Sequence, residues 1–474
     1  MARIYIFIFI GVIVFCSGCK KGFLDVTPSN QVESGKYISN LAACETVLNG
    51  AYVELKTRFY TGYAFIYGEL VADNMKPIIS GTPLTSHYAW RQIADETNSY
   101  QMSSSSSNLN PFWISGYHML REVALVLENV DRFKQEDSVK ANNLKGQALA
   151  LRALAHLQLL NYFSQQYNYS ADASHAGIPY VTASDWNTEY TRNTVSDNYK
   201  QILNDLQIAL TLLPANVLSN QVLTKTAVQA LIARVYLNKG EYALAKDMAV
   251  SVLTKVPLMV TGYPENLFTN KESEAIFQLS PPLTELDQRV AFPGYYFRES
   301  FKYYGATKDI ALLLTQYPTD IRRAWVKDTA GAWEIRKYPT GIVANSKFPT
   351  TSYYQTLIRS SEMYLIAAEA FAQNSMKDSS LYYLNAIRVR AYGVNSAIDV
   401  SGGALLDSIY MERRKELCFE GNRLYDLSRQ KKAIKRADVA DNVGPELLYP
   451  NDRYIAPIPL SDVLVKGLNQ NKDY

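Results

Sequence analysis

Aromatic side chains that lie beside polar ones are the residues of this 474-residue chain best suited to holding a ligand. Tyrosine occurs 35 times, and Phe, Tyr and Trp together make up 12% of the chain. Flat rings stack on the apolar faces of sugars or on peptide side chains, while nearby amides and charged groups fix the orientation of the ligand. Two polar, proline-containing stretches combine these residue types. We predict ligand contacts there at Asp73, Asn74, Tyr88, Trp90, Arg91, Tyr295, Tyr296 and Trp325.

Motifs typical of catalysis are missing from the sequence. It has no G-x-S-x-G, no H-E-x-x-H, no phosphate-binding glycine-rich loop and no C-x-x-C. His156 lies in an Ala/Leu-rich pattern and is expected in the core, whereas His87 adjoins Tyr88 and Trp90 but has no acidic partner nearby in sequence. We therefore predict a protein that is not an enzyme, with no catalytic residue, no metal and no cofactor. A pair of carboxylates brought together by the fold, as in glycoside hydrolysis, stays open as an alternative.

The charge balance argues against nucleic acid as a partner. Lys and Arg number 48 and Asp and Glu number 45, a formal charge of only +3. No strong positive field is available to attract phosphates. With 47% hydrophobic and 20% charged residues, the composition is that of a globular protein.

The N-terminus has the features of an export signal. An apolar run from Ile4 to Phe15 is too short to span a membrane, and Ser17 and Gly18 precede Cys19. This ending resembles the lipobox of bacterial lipoproteins, which implies a signal peptide at 1–18, lipidation of Cys19 and membrane attachment through that lipid. Ordinary secretion is the alternative. Residues 20–35 form a polar tether.

Cys44 and Cys418 each lie within an apolar helical pattern. We expect two buried free thiols there, and a single disulfide between them is the alternative. Neither cysteine has the spacing of a zinc ligand.

The rest of the chain is predicted to be mainly α. In 143–162, Leu144, Ala148, Leu151, Ala155 and Leu159 recur at intervals of three and four, which places them on one helical face. Further helices are predicted at 41–55, 111–133, 195–213, 224–239, 241–253, 356–373, 379–390 and 405–420.

One helix pair has the pattern of a tetratricopeptide repeat. Gly240 stands at the turn between the helices, Ala245 at the small packing position and Pro257 at the terminator. Residues 362–387 repeat the pattern less well. We predict degenerate helix pairs in a single domain, 19–474, with long irregular insertions at about 75–110 and 261–352.

Several stretches, in chain order, resemble the SusD/RagB family of nutrient-binding lipoproteins over nearly the whole length. They are the segment 22–28 after the lipobox, Gly146 to Asn161, Gly177-Ile178-Pro179, the run ERRKELCFEGNRLYDLSR at 412–429, Pro457-Ile458-Pro459 and the final residues 469–474. The charged run has Glu residues four apart and Arg-acid pairs three apart, which favours ion pairs along a helix. We interpret it as a salt-bridge network that fixes the helix against the core, not as a catalytic cluster.

The resemblance implies a SusD-like fold on a lipid-anchored protein of the outer membrane, facing the exterior. It implies capture of an oligosaccharide or a peptide without cleavage and delivery to a SusC-like TonB-dependent transporter. The insertions would recognise the ligand, and the helical scaffold would face the transporter. Two other classes remain open: a secreted helical glycan-degrading enzyme, and a repeat scaffold that binds only protein.

Overall fold

The computed structural model describes residues 38–60, 65–94, 109–217, 219–281, 303–339, 353–440 and 443–474, and the backbone alone of 62–64. The predicted signal peptide, Cys19 and the tether lie outside these residues. The helices are α1 (Leu41–Glu54), α2 (Gly62–Leu70), α3 (Thr85–Tyr88), α4 (Asn110–Asn129), α5 (Ser138–Phe163), α6 (Val195–Leu212), α7 (Lys225–Lys239), α8 (Tyr242–Leu253), α9 (Lys308–Thr315), α10 (Ser360–Gln373), α11 (Lys377–Tyr392), α12 (Gly402–Leu417), α13 (Arg423–Arg429) and α14 (Leu460–Lys466). The strands are β1 (Met75–Pro77), β2 (Ala275–Leu279), β3 (Tyr304–Ala306), β4 (Val326–Thr329), β5 (Ala332–Ile335), β6 (Gln355–Arg359), β7 (Ile434–Lys435) and β8 (Glu446–Leu447).

The mainly helical class predicted from the sequence is confirmed. Side-chain caps define several helix starts: the side chains of Asp137, Thr194 and Thr224 accept hydrogen bonds from backbone N–H groups at the starts of α5, α6 and α7. The apolar positions of α5 face the core, and Leu151 and Leu159 are fully buried. Among the described helices, none is long and apolar enough to cross a membrane.

Helix pairs form the scaffold, as the repeat pattern predicted. α5 packs on α6, α7 on α8 and α10 on α11, and α8 also packs against α10, which joins successive pairs. Gly240 ends α7 with a φ of +76°, a left-handed conformation that glycine adopts at little cost. Ala245 is fully buried in α8, consistent with close packing against α7.

The structure corrects two helix boundaries. Residues 356–359, predicted to begin a helix, belong to β6, which pairs with β2 before α10 starts at Ser360. The charged run is not one helix: α12 ends at Leu417, and a turn that contains Gly421, with a φ of +84°, leads into α13.

The two insertions meet in a small sheet. Its strand order is β1-β3-β5-β4, so β1 of the first insertion pairs with β3 of the second. Sequence analysis treated both segments as irregular and missed these strands, which are only three or four residues long. The sheet fixes the first insertion relative to the second.

The remaining sequence predictions about the core agree with the structure. Cys44 and Cys418 are free and buried. His156 is buried; its Nδ1 lies 2.8 Å from the carbonyl oxygen of Arg152, and its Nε2 accepts from the N–H of Val181 at 3.0 Å. Burial lowers the pKa of His156 to about 3, so the ring is neutral at physiological pH.

Candidate ligand-binding site

A groove of about 680 Å³ lies where the first insertion meets the C-terminal part of the chain. Its volume is within the range of about 300–1,000 Å³ common for small-molecule sites. Its walls come from β1, α3, the turn between β4 and β5, and the segment between β7 and β8. The lining residues include Lys76, Tyr88, Arg91, Asp438, Val439 and Val443. We call this cavity the Tyr88 groove.

Arg436 fixes the aromatic side of the Tyr88 groove. Its guanidinium lies 4.3 Å from the ring centroid of Tyr88 and 4.1 Å from that of Trp90. The same group donates to the carbonyl oxygens of Ala72, Leu70 and Tyr88 at 2.7, 3.0 and 2.6 Å. Burial lowers the pKa of Arg436 to about 10, which leaves it charged at neutral pH. Tyr88 is therefore held in place before any ligand arrives.

Trp90 lies beneath the groove. It is 9% exposed, and its indole N–H donates to the carbonyl oxygen of Val71 at 3.1 Å. The ring also faces Gly444, where an added Cβ would lie 3.3 Å from it. Trp90 is therefore packed inside the protein, where it supports the groove from below and does not line it.

Asp438 supplies a charged edge that sequence analysis missed. Its Oδ2 accepts from Lys76 Nζ and from the N–H of Lys308, both at 2.8 Å. Its Oδ1 has no hydrogen-bond partner among the described residues. The exposed side chain of Arg91 lies on the rim of the same groove. The groove is thus lined by an aromatic ring that is 5% exposed, by an exposed arginine and by a carboxylate whose Oδ1 is buried without a hydrogen-bond partner among the described residues.

Asp73 and Asn74, two predicted contacts, are buried in ion pairs and hydrogen bonds. Asp73 pairs with Arg423 at 2.7 and 2.8 Å and lies 3.4 Å from Arg414. Burial opposes its ionisation, but the two arginines outweigh that effect and lower the pKa of Asp73. Asn74 donates to Glu69 at 2.7 Å and accepts from Arg414 at 2.9 Å. Both side chains thus have the internal partners that buried polar groups need. Neither residue lines the Tyr88 groove.

Trp325 is also buried, with 3% of its surface exposed. The ammonium of Lys337, itself 4% exposed, lies 4.1 Å from the Trp325 ring centroid. The ring thus covers a buried cation. Arg322, three residues before Trp325, is fully buried between Asp320 and Glu412, at 2.9 and 2.6 Å. Tyr295 and Tyr296 lie outside the described residues, so their predicted contacts stay predictions.

The charged run forms a buried salt-bridge network, as interpreted from the sequence. Glu416 is fully buried and accepts from Arg359 and Arg390 at 2.7 Å and from Arg322 at 3.2 Å. Burial opposes ionisation of Glu416, but the surrounding arginines prevail and hold its pKa well below the ordinary value. The partners come from β6, α11 and the segment before β4, and not from the same helix as the spacing suggested.

No metal centre is formed by the described part of the chain. No group of three or more His, Cys, Asp or Glu side chains in that part is placed to hold a metal ion.

A helical-repeat scaffold with a groove between its first insertion and the C-terminal part of the chain is the architecture of a ligand-binding protein. Comparison with known proteins identifies the family. The family model described as starch-binding, associating with the outer membrane, matches residues 22–237. The model of the SusD family matches residues 279–474. Together they match most of the chain, which belongs to the SusD/RagB family.

Individual proteins are similar over nearly the same length. SusD-like protein P2 of Formosa agariphila is 25% identical, with 95% of each chain covered. A candidate sugar-binding protein of Bacteroides vulgatus has a solved structure that is 28% identical, with a TM-score of 0.79 and coverage of 92% of this chain and 99% of that one. A SusD superfamily structure from Bacteroides thetaiotaomicron is 26% identical, with a TM-score of 0.80 and coverage of 91% and 100%.

Proposed function

We propose that this protein captures an oligosaccharide at the outer cell surface and passes it to a SusC-type TonB-dependent transporter. The Tyr88 groove carries the proposal. It combines a fixed ring, an exposed guanidinium and a carboxylate oxygen without a hydrogen-bond partner among the described residues. Rings and hydrogen-bonding groups together match the apolar faces and hydroxyl edges of sugars.

The edge of the sheet favours an oligosaccharide over a peptide. A bound peptide commonly adds a strand to an exposed sheet edge. β1 is the edge strand beside the groove, but it has only three residues, and Pro77 has no N–H to donate. The similarity to a candidate sugar-binding protein of Bacteroides vulgatus and the starch-binding description of the matched family model also support a glycan.

Binding without cleavage is the activity that the lining residues favour. Glycoside hydrolysis normally uses two carboxyl groups on either side of the scissile bond. Asp438 is the single carboxylate among the described residues that line the groove, and it is paired with Lys76. The described lining of the groove therefore lacks the second carboxyl group that hydrolysis would use, and we propose capture and release without bond cleavage.

The family supports the rest of the proposal. SusD proteins pair with SusC-like transporters and associate with the outer membrane. Lipidation at Cys19 would hold the protein at that membrane, with residues 20–35 as the tether to the scaffold. Cys19→Ser should move the protein from the membrane fraction to the soluble fraction; retention of the variant in the membrane would contradict the anchor.

Array binding tests the ligand class. The soluble form, residues 20–474, would be applied to glycan and peptide arrays together with Asp438→Asn and Arg91→Ala. We expect binding to a glycan, weakened about tenfold or more by each substitution because each removes a charge-assisted hydrogen bond. Arg323→Ala is the matched control, since Arg323 is an exposed arginine that does not line the groove. Peptide binding alone, or variants equal to the control, would refute the proposal.

Two further measurements separate the rival classes. Incubation with the bound glycan should release no new reducing ends, and turnover lost in Asp438→Asn would identify an enzyme. Coexpression with the SusC-type transporter of the same genome should yield a stable complex. Transporter binding without any glycan binding would identify a protein scaffold.

A further inference from the structure

A second cavity, of about 540 Å³, lies between α4, the loop 179–190 and α14. It shares no described lining residue with the Tyr88 groove. Trp113 and Tyr117 form its floor, with ring centroids 4.6 Å apart. Trp186 stands at its rim, so we call it the Trp186 cavity.

Trp186 is unusual in its exposure. It is 64% exposed, whereas Trp90, Trp113 and Trp325 are at most 9% exposed. A large ring left in water forgoes the free energy that burial would provide, and an exposed aromatic beside a cavity often marks a binding site.

The loop that carries Trp186 is held by the guanidinium of Arg121. This group donates to the carbonyl oxygens of Ala183 at 2.9 Å, Thr188 at 3.1 Å and Asp185. It also lies 5.6 Å from the ring centroid of Trp186. One side chain on α4 therefore fixes both the backbone of the loop and the position of the exposed ring.

Further hydrogen bonds fix the start of the same loop. The hydroxyl oxygen of Tyr190 accepts from the N–H groups of Thr182 at 3.0 Å and Ala183 at 2.8 Å. The carboxylate of Glu128 accepts from the N–H of Ser184 at 2.7 Å and from its hydroxyl at 2.6 Å. A loop ordered in this way loses little conformational entropy when a ligand binds to its ring.

We propose that the Trp186 cavity binds a neutral sugar ring of a glycan, with one face of the sugar stacked on Trp186. The lining charges balance, because Arg121 and Lys466 are matched by Asp462 and Glu189. Lys466 is paired with Asp462 at 2.6 Å, and Arg121 is engaged by the loop. No net charge is left to select an ionic ligand.

Glu189 gives the cavity its hydrogen-bonding edge. Its side chain is exposed and has no hydrogen-bond partner among the described residues. A carboxylate accepts hydroxyl hydrogens strongly, and sugars present adjacent hydroxyls at the edge of the ring. This inference rests on the proposed function for its ligand class, a glycan. The residues that line the Trp186 cavity are separate from those of the Tyr88 groove.

Fluorine NMR of protein labelled with 5-fluorotryptophan would test both sites in one titration. The chain has five tryptophans, and Trp186→Phe and Trp90→Phe would assign the two relevant signals. The probes are neutral oligosaccharides of glucose (α-1,4 and β-1,3), mannose and xylose, with oligogalacturonate as the acidic comparison. We expect at least one neutral probe to shift the Trp186 signal. We expect Trp186→Ala to weaken binding at this site by about tenfold, the upper range for loss of an aromatic stack.

Controls make each outcome decisive. Tyr382→Ala removes another exposed ring, 67% exposed on α11, and should leave every signal and affinity unchanged. If no neutral probe shifts the Trp186 signal, or if oligogalacturonate alone does, the inference is wrong. A shift at Trp90 without one at Trp186 would support the Tyr88 groove as the capture site and overturn this inference. A shift at Trp186 without one at Trp90 would support this inference and contradict the Tyr88 groove as the capture site.

Discussion

Glu416→Gln tests whether the charged run stabilises the fold through a buried network. The substitution keeps the side-chain shape but removes the negative charge that faces Arg359, Arg390 and Arg322. It also weakens the acceptor for the hydroxyl of Tyr263, at 2.9 Å. Removing one partner of a buried ion pair typically costs about 3–5 kcal/mol, because the remaining charge stays buried without compensation.

That loss corresponds to a measurable fall in melting temperature. Unfolding entropy is about 2.1 cal/mol/K per residue, which for 474 residues gives about 1 kcal/mol/K. A loss of about 4 kcal/mol therefore lowers Tm by about 4 °C. Thermal melts followed by circular dichroism and urea titrations at pH 7 would measure it. Glu265→Gln, at an exposed position, is the matched control and should change the free energy of unfolding by less than about 0.5 kcal/mol.

Acid titration gives an independent check. Because the arginines lower the pKa of folded Glu416, the carboxylate stabilises the native state above its unfolded pKa of about 4.3, and this stabilisation is lost as the pH falls below that value. Wild type should thus lose more stability than Glu416→Gln between about pH 4.5 and 3. The reasoning would be refuted if Glu416→Gln were as stable as the Glu265→Gln control at pH 7 and lost as much stability as wild type between about pH 4.5 and 3.

Three further changes probe other parts of the structure. Burial raises the pKa of Glu272 to about 8. Between about pH 4.5 and 8 the unfolded chain ionises this carboxyl while the folded protein keeps it protonated, so the stability of wild type should fall as the pH rises through that range. The urea midpoint of Glu272→Gln should lack this fall, and equal pH slopes in the two proteins would contradict the reasoning. Arg436→Lys keeps the charge but not the planar group that donates several hydrogen bonds. We expect a loss of about 2–4 kcal/mol in unfolding free energy and weaker glycan binding at the Tyr88 groove. Unchanged binding would show that Arg436 does not position Tyr88. Gly68→Ala would place a Cβ 2.3 Å from the carbonyl oxygen of Gly421, whereas Gly403→Ala meets nothing within 4 Å; only the first should lower Tm, by the equivalent of about 1–3 kcal/mol.

Local patterns in the sequence predicted the scaffold well. The three- and four-residue spacing in α5 and the glycine at the end of α7 depend on neighbours in sequence, so both could be read directly. The short strands were missed because β1 and β3 are each three residues long and pair only after more than two hundred intervening residues bring them together. A still larger separation in sequence hid Asp438 and Arg436, which contact Lys76 and Tyr88 of the first insertion.

The candidate site was predicted only in part because residue type does not report exposure within a loop. Tyr88 and Arg91 do line the groove, but Asp73 and Trp325 are buried beside cations that come from distant segments. Arg423 partners Asp73, and Lys337 lies under the ring of Trp325. An aromatic or acidic residue in a polar segment therefore meets either a ligand or a buried cation, and sequence alone does not distinguish the two.

Several rings of this chain cover buried cations. Arg390 lies 3.6 Å from the ring centroid of Tyr263, and Lys337 and Arg436 have comparable ring contacts. A ring covers the face of a guanidinium that carboxylates and carbonyls cannot reach, which lowers the cost of burying the charge. A network of arginines inside a helical scaffold therefore needs many rings for its own stability. Among the described residues, the rings that border the two proposed sites are Tyr88 at the groove and Trp113, Tyr117 and Trp186 at the second cavity, and these rings, and not the whole aromatic set, are the ones expected to meet a ligand.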